Sequence, residues 1–289
     1  MEAPPKTAVL TEAAERAARQ WGLTAPQLIR VGANGVYACD DVILRVGRAT
    51  APMGQALQFA DRLAQLGVRV AHPARHDWLV DDSGVSVTAW ERIDFQPGAA
   101  VDWEQVGSMV AIVHGVDPTG VQHPLPFCGD FPWWDFERLL DFAAADQEAH
   151  QLLSATVDRH RWWYERARTQ PLVLCHGDVH PGNVLVTANG PVLIDWDLLC
   201  VGPPAWDHAA LSTWTERWGG EPGMYESFAA GYGRPVDQDM LDALSELRLV
   251  AATLMRLRRA SEDPHHRPEA DRRMRYWRGD PDAPVWQAQ

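Results

Sequence analysis

The sequence predicts an α+β protein of two lobes, a small β-rich N-lobe with one main helix over residues 1–93 and a larger, mostly α-helical C-lobe over residues 94–289. Three observations predict it. Short β-prone runs separated by turn residues crowd the first ninety-odd positions, and helical apolar spacing dominates after about residue 100. The 289 residues exceed one average domain without reaching two large ones.

The elements follow in order. Residues Thr11 to Trp21 read as a helix, with Thr11 as N-cap, an Ala-rich interior and Gly22 beyond the end. Leu28 to Val31, Val36 to Cys39 and Val42 to Val46 read as strands, separated by Gly32-Ala33-Asn34-Gly35 and by Asp40-Asp41. Gln55 to Leu66 has helical spacing closed by Gly67, and Val68 to Val70 and Val85 to Trp90 return to strand character. Past a connector holding Pro97 and Gly98, helices are expected over Trp103 to Val113, Phe136 to Ala145 and Leu152 to Arg168. Leu172 to Leu174, Val184 to Val186 and Val192 to Ile194 are brief strands around polar loops, the last two joined across Asn189-Gly190. Helices resume over Asp207 to Trp218, Met224 to Ala230 and Asp237 to Arg259, ahead of an Arg- and Pro-rich tail.

Composition narrows the partners. A net charge of −13 opposes binding to nucleic acid or to an anionic membrane and permits a cationic ligand. No apolar run reaches about 18 residues, and Met1 to Gln20 mixes Glu and Arg with Ala, so a cytoplasmic location is expected. Cys39, Cys128, Cys175 and Cys200 lack paired spacing and read as reduced, buried thiols. Fourteen tryptophans include Trp133-Trp134, Trp162-Trp163 and Trp214 with Trp218, which suit either core packing or an aromatic substrate floor. Asp130, Asp135, Glu137, Asp141, Glu216, Glu221 and Glu226 are either a cation-binding surface or a solvated face.

The strongest local signal is His176-Gly177-Asp178-Val179-His180-Pro181-Gly182-Asn183, followed beyond a hairpin by Ile194-Asp195-Trp196-Asp197. This set resembles that of kinases, in which a catalytic-loop Asp meets the substrate hydroxyl, an Asn five residues on binds Mg²⁺, and a later Asp holds the metals bridging the phosphates. Asp178, Asn183 and Asp195 stand at those places. Such oxygen donors suit a hard cation that keeps part of its water shell.

The form HGDxHPGN with IDW is similar to the aminoglycoside phosphotransferase and choline kinase superfamily, over nearly the whole chain. The resemblance implies a small-molecule kinase using Mg²⁺ and ATP or GTP, with a hydroxyl of an aminoglycoside-like antibiotic or amino sugar as leading acceptor. It gives His176 a bracing role and Asp207 the task of ordering the catalytic loop. Asp197 would support the metal site or fix its loop. Gly32, Asn34 and Gly35 would face phosphate oxygens, and Trp90 to Arg92 would run beside the adenine. Arg45 stands where kinases carry a phosphate-binding Lys, and the following helix offers Gln55 and Ala56 where its Glu partner is expected. A metabolic kinase for choline, homoserine or a sugar, and a nucleotide-binding pseudokinase, are the alternatives.

Overall fold

Four alanines, Ala13, Ala14, Ala17 and Ala18, give α1 (Lys6–Trp21) a smooth buried face. Small side chains let a helix lie close on a sheet, and here they meet Tyr37, Leu44, Val46, Val87 and Ala89. The computed structural model describes residues 6–32, 34–48, 54–118 and 124–287.

The sheet is antiparallel, in the order β1 (Gln27–Val31), β2 (Gly35–Cys39), β3 (Val42–Arg48), β5 (Val85–Glu91) and β4 (Leu79–Val80). Two residues, Asp40 and Asp41, join β2 to β3, and Asp40 takes the positive φ of 52° that tight hairpins require. Alternation along β3 buries Leu44 and Val46 under α1 and turns Arg45 to the other face. Each such aliphatic side chain contributes roughly 1.5–3 kcal/mol on burial. Helix α2 (Gln55–Gln65) follows, and Val70 makes only an isolated parallel bridge to Leu193 instead of a strand.

The chain forms two compact units. The first joins the sheet to Pro181–Leu199, which contains the antiparallel hairpin of β7 (Val184–Thr187) and β8 (Gly190–Leu193). Backbone bonds from Leu193 N–H to the Arg69 carbonyl (2.9 Å) and from Gln96 N–H to the Val186 carbonyl (2.8 Å) tie that hairpin to the N-terminal residues.

The second unit is helical apart from the paired β6 (Val173–Cys175) and β9 (Cys200–Gly202). Its helices are α3 (Trp103–Val113), α4 (Phe136–Leu140), α5 (Gln147–Arg159), α6 (Trp162–Arg168), α7 (Ala205–Ser212), α8 (Trp214–Trp218), α9 (Met224–Tyr232), α10 (Gln238–Glu262) and α11 (Arg267–Trp277). Two long helices expected from periodicity are each broken, at His160-Arg161 and at Thr213, because apolar spacing continues across a turn that local hydrogen bonding interrupts. The Arg- and Pro-rich tail is helical: Pro268 sits in the first turn of α11, where its missing N–H costs nothing, and Arg273 bonds Glu269 and the Ala252 carbonyl. Gly107 and Gly231 bring α3 and α9 into backbone contact, since a Cβ on either would fall within 2.0 Å of the opposite helix. All four cysteines are buried and free. Among the described residues no helix is long and apolar enough to cross a membrane.

Candidate active site

In the first unit, the residues singled out from sequence converge on two carboxylates. The Arg45 guanidinium lies 2.5 Å from Asp195 Oδ1 and 2.8 Å from Asp197 Oδ2, and its Nε–H donates to the same Asp197 oxygen at 3.0 Å. Asn34 Nδ2 donates to Asp197 Oδ2 at 2.7 Å. The cation that lacks a Glu on α2 therefore has two partners from the residues after β8. Burial opposes the charge on Arg45, but Asp197 and Asp195 hold its pKa above the ordinary value. Burial and the like charge of Asp195 push the Asp197 carboxyl up, against the pull of Arg45.

The backbone frames this cluster. Ile194 N–H donates to the Asn183 carbonyl at 3.0 Å, continuing the ladder that pairs Val184 with Leu193. Asn183 and Asp195 thus flank the open end of one hairpin. Asp195 adopts φ 70° and ψ 61°, a left-handed conformation that few residues other than glycine take and that Asp tolerates better than most. Gly47 on β3 makes room for Asn34, whose Oδ1 would lie 1.7 Å from a Cβ there. Sequence reading missed this glycine, since only the packing reveals what stands over it.

The donor set fits a divalent cation. Two carboxylates face one guanidinium, which leaves a negative balance, and their oxygens are hard donors of the kind such a cation takes.

Gly32 and Gly35 bracket the turn before β2, where Gly32 N–H donates to the Asn34 carbonyl at 2.9 Å; Ala33 lies outside the described residues. Trp90 and Arg92 are not drawn into the cluster. The Trp90 indole N–H donates to Thr88 Oγ1, and exposed Arg92 donates to the Asp40 carbonyl. Arg92 instead lines a groove of about 390 Å³ with Arg69, Glu91 and Val192.

In the second unit, the loop after β6 is braced by Asp207. This fully buried carboxylate accepts the backbone N–H of His176 through Oδ2 (2.8 Å) and that of Gly177 through Oδ1 (2.7 Å). His114, just beyond α3, meets Asp207 Oδ2 at 3.1 Å, while its other ring nitrogen meets the Tyr232 hydroxyl at 2.9 Å. Asp207 lies in the first turn of α7, whose N-cap is Pro204. His176 is wholly buried and its Nδ1 accepts the Asp178 N–H at 3.3 Å.

The Asp178 carboxylate has His180 Nε2 3.3 Å from Oδ2 and Arg248 Nη1 3.4 Å from Oδ1. Burial favours its neutral form, yet His180 and then Arg248 hold it well below the usual carboxylate range. It is therefore ionised at neutral pH, a hydrogen-bond acceptor of low basicity. His180 stacks on Trp214 at 4.9 Å, and Trp214 stacks on Trp218 at 4.9 Å, both indoles half-buried. Trp134, Trp163 and Trp206 pack together in the core. The acidic residues Asp130, Asp135, Glu137, Asp141, Glu216, Glu221 and Glu226 are exposed or nearly so, Asp130 being held by Tyr164 and Asp135 capping α4. Arg248 had no motif to announce it.

The model of the phosphotransferase enzyme family (APH) matches residues 21–247. No curated protein sequence matches the chain. Among solved structures, the amicoumacin kinase hAmiN in complex with AMP-PNP, Ca²⁺ and Ami is similar at a TM-score of 0.67 and 15% identity, over 98% of this chain and 96% of that one. A choline/ethanolamine kinase family protein from Mesorhizobium loti gives 0.63 and 20%, over 94% and 95%. Spectinomycin phosphotransferase APH(9)-Ia, in complex with ADP and spectinomycin, gives 0.61 and 17%, over 94% of each chain. At such identities the likeness is one of fold, with a β-sheet N-terminal part and a helical C-terminal part.

Proposed function

The chain belongs to the phosphotransferase enzyme family, and on that premise we propose that it transfers the γ-phosphoryl group of ATP or GTP to a hydroxyl of a small molecule, with Mg²⁺ as the metal. The observation that supports this reading is the convergence of Arg45 and Asn34 on Asp195 and Asp197, a cluster of one cation and two carboxylates of the kind that binding phosphates and a metal would use. A protein with no use for nucleotide has no evident need for that balance.

The roles follow from chemistry. Asp178, kept ionised, accepts a hydrogen bond from the acceptor hydroxyl and orients its oxygen toward the γ-phosphorus. The new O–P bond forms as the bond to the β–γ bridging oxygen breaks, the hydroxyl becomes strongly acidic as its oxygen bonds to phosphorus so that its proton passes to an Asp178 carboxylate oxygen, and the nucleoside diphosphate leaves. Asn183 and Asp195 would hold the metal, which supplies charge neutralisation at the phosphate oxygens. Arg45 and the Gly32 to Gly35 turn would hold phosphates, Trp90 to Arg92 would run beside the base, and His176, Asp197 and Asp207 keep the loops in place.

For the acceptor, an aminoglycoside-like antibiotic or amino sugar is the leading reading, supported by the family and by neighbours whose names include spectinomycin and amicoumacin. A metabolic acceptor, such as choline, homoserine or an uncharged sugar, is the second. One observation favours an uncharged ring: Asp178 is faced by Arg248 and His180, with the Trp214–Trp218 stack alongside, while the acidic residues lie out in solvent. The test is nucleoside diphosphate release from Mg-ATP and Mg-GTP across aminoglycosides, amino sugars, choline, homoserine and neutral sugars. A Michaelis constant that rises steeply with salt identifies a cationic acceptor; a flat response identifies a neutral one. No turnover with any of them, and no nucleotide binding, would sink the proposal.

A further inference from the structure

Arg248 is a charged residue with little water: on α10, its side chain is about one-tenth exposed. Removing an ion from water costs several kcal/mol unless the surroundings replace its hydration. They do so at its two terminal nitrogens. Nη2 donates to the Gly177 carbonyl at 2.6 Å and to the Trp206 carbonyl at 3.5 Å, while Nη1 reaches Asp178 Oδ1 at 3.4 Å. The guanidinium carbon lies 4.9 Å from the Trp206 ring centroid and 5.8 Å from that of Trp133. One planar fork therefore grips both the backbone just before Asp178 and the Asp178 carboxylate itself.

The two oxygens of Asp178 have different anchors. Arg248 takes Oδ1 and His180 takes Oδ2, so rotation of the carboxylate is restrained from both sides. Asp207 meanwhile holds the amides of His176 and Gly177 on the other side of the same loop. Between them, the two side chains fix Gly177 at both its N–H and its carbonyl oxygen, and so hold the two peptide groups that flank it.

We propose that Arg248 is a positioning residue for phosphoryl transfer, clamping the Gly177 carbonyl and Asp178 so that the carboxylate is aimed at the acceptor hydroxyl. This rests on the reading of Asp178 as the group that orients that hydroxyl. Displacement of a reacting group by about 1 Å can cost about 10²-fold in rate, which sets the scale of the effect. Lysine cannot reproduce it fully, because an ammonium is a point charge without the planar fork that spans carbonyl and carboxylate.

The experiment compares wild type, Arg248→Lys and Arg248→Met as full-length proteins. Turnover is measured with the best acceptor of the panel or, failing one, with water as acceptor, and Mg-ATP affinity is measured by calorimetry. Arg248→Met should lose about 10²-fold in kcat while its Mg-ATP dissociation constant stays within about twofold. Arg248→Lys should recover part of kcat, and millimolar methylguanidine should raise the activity of Arg248→Met several-fold by supplying the missing fork. If Arg248→Met does not fold, Arg248→Lys carries the same split between kcat and nucleotide affinity. Turnover per folded molecule within threefold of wild type in both variants overturns the inference. So does a parallel loss of kcat and nucleotide affinity that neither Lys nor methylguanidine relieves, the mark of a purely structural residue. Wild type that fails to bind Mg-ATP would remove the nucleotide reading itself, a separate outcome.

Discussion

His114 Nε2 and Asp207 Oδ2 meet at 3.1 Å with neither side chain exposed to solvent. The same carboxylate carries the amides of His176 and Gly177, so one buried ion pair holds the start of the loop after β6. Replacing Asp207 by Ala leaves a buried imidazole and two buried amides without their acceptor. Breaking such a pair from one side costs about 3–5 kcal/mol. Chemical denaturation of Asp207→Ala should show a loss of that order, with turnover abolished in the molecules that remain folded. A change under about 1 kcal/mol would show that the loop does not depend on this brace.

Two histidines of the same core titrate in opposite senses. Burial opposes charge on His114, but hydrogen bonds to Asp207 and Cys175 raise its pKa from 6.5 to about 9; its contribution is full below 6.5 and is lost as pH rises through about 9. Burial, then the His114 charge, lowers His208 from 6.5 to about 4, so its neutral form stabilises the fold above 6.5 and that stability drains away as pH falls toward 4. Each shift corresponds to about 3 kcal/mol at one unit per 1.36 kcal/mol. Thermal melting against pH should therefore fall on both sides, and His208→Gln should flatten the acid limb while leaving the alkaline one. An acid limb identical to wild type would exclude His208 as its source.

Asp178→Asn keeps the size of the side chain and removes its charge. Turnover should drop by about 10²-fold to 10⁴-fold with Mg-nucleotide binding largely intact, since no phosphate contact is assigned to it. Near-normal turnover would take Asp178 out of the mechanism.

Asp195 and Asn183 should differ in degree. Asp195→Ala removes a carboxylate and releases Arg45 from one partner, so both Mg-nucleotide affinity and turnover should fall. Asn183→Ala, which loses only a neutral amide, should be milder. Calorimetric titration with unchanged magnesium dependence in Asp195→Ala would contradict the metal assignment.

Gly47→Ala tests a contact made through space. The new methyl group would overlap Asn34 Oδ1, forcing the amide away from Asp197. We expect a several-fold loss of Mg-nucleotide affinity and a destabilisation of about 1–3 kcal/mol, the usual range for overpacking. Unchanged affinity would mean that the Asn34–Asp197 bond plays no part in holding nucleotide.

The sequence by itself determined the α+β class, the short strands followed by helices, and the Asp178, Asn183 and Asp195 spacing, because each depends on residues close in the chain. Strand alternation and helix period are local properties, and so is the loop that separates Asp178 from Asn183 by five positions. The absent Glu after Arg45 was legible too, but its replacement was not. Arg45 is paired with Asp195 and Asp197 from 150 and 152 residues away, and Asn34 reaches Asp197 across 163. Such pairs exist only once the hairpin of β7 and β8 has been tied to the N-terminal residues, by the bonds from Leu193 N–H to the Arg69 carbonyl and from Gln96 N–H to the Val186 carbonyl. Arg248 was invisible for the same reason: on α10 it is one arginine among many, and only packing makes it the cation beside Asp178. Local spacing dictates which backbone forms, whereas the match of a buried charge to its partner is decided by which surfaces the folded chain brings together, since desolvation penalises every charge that folding leaves alone.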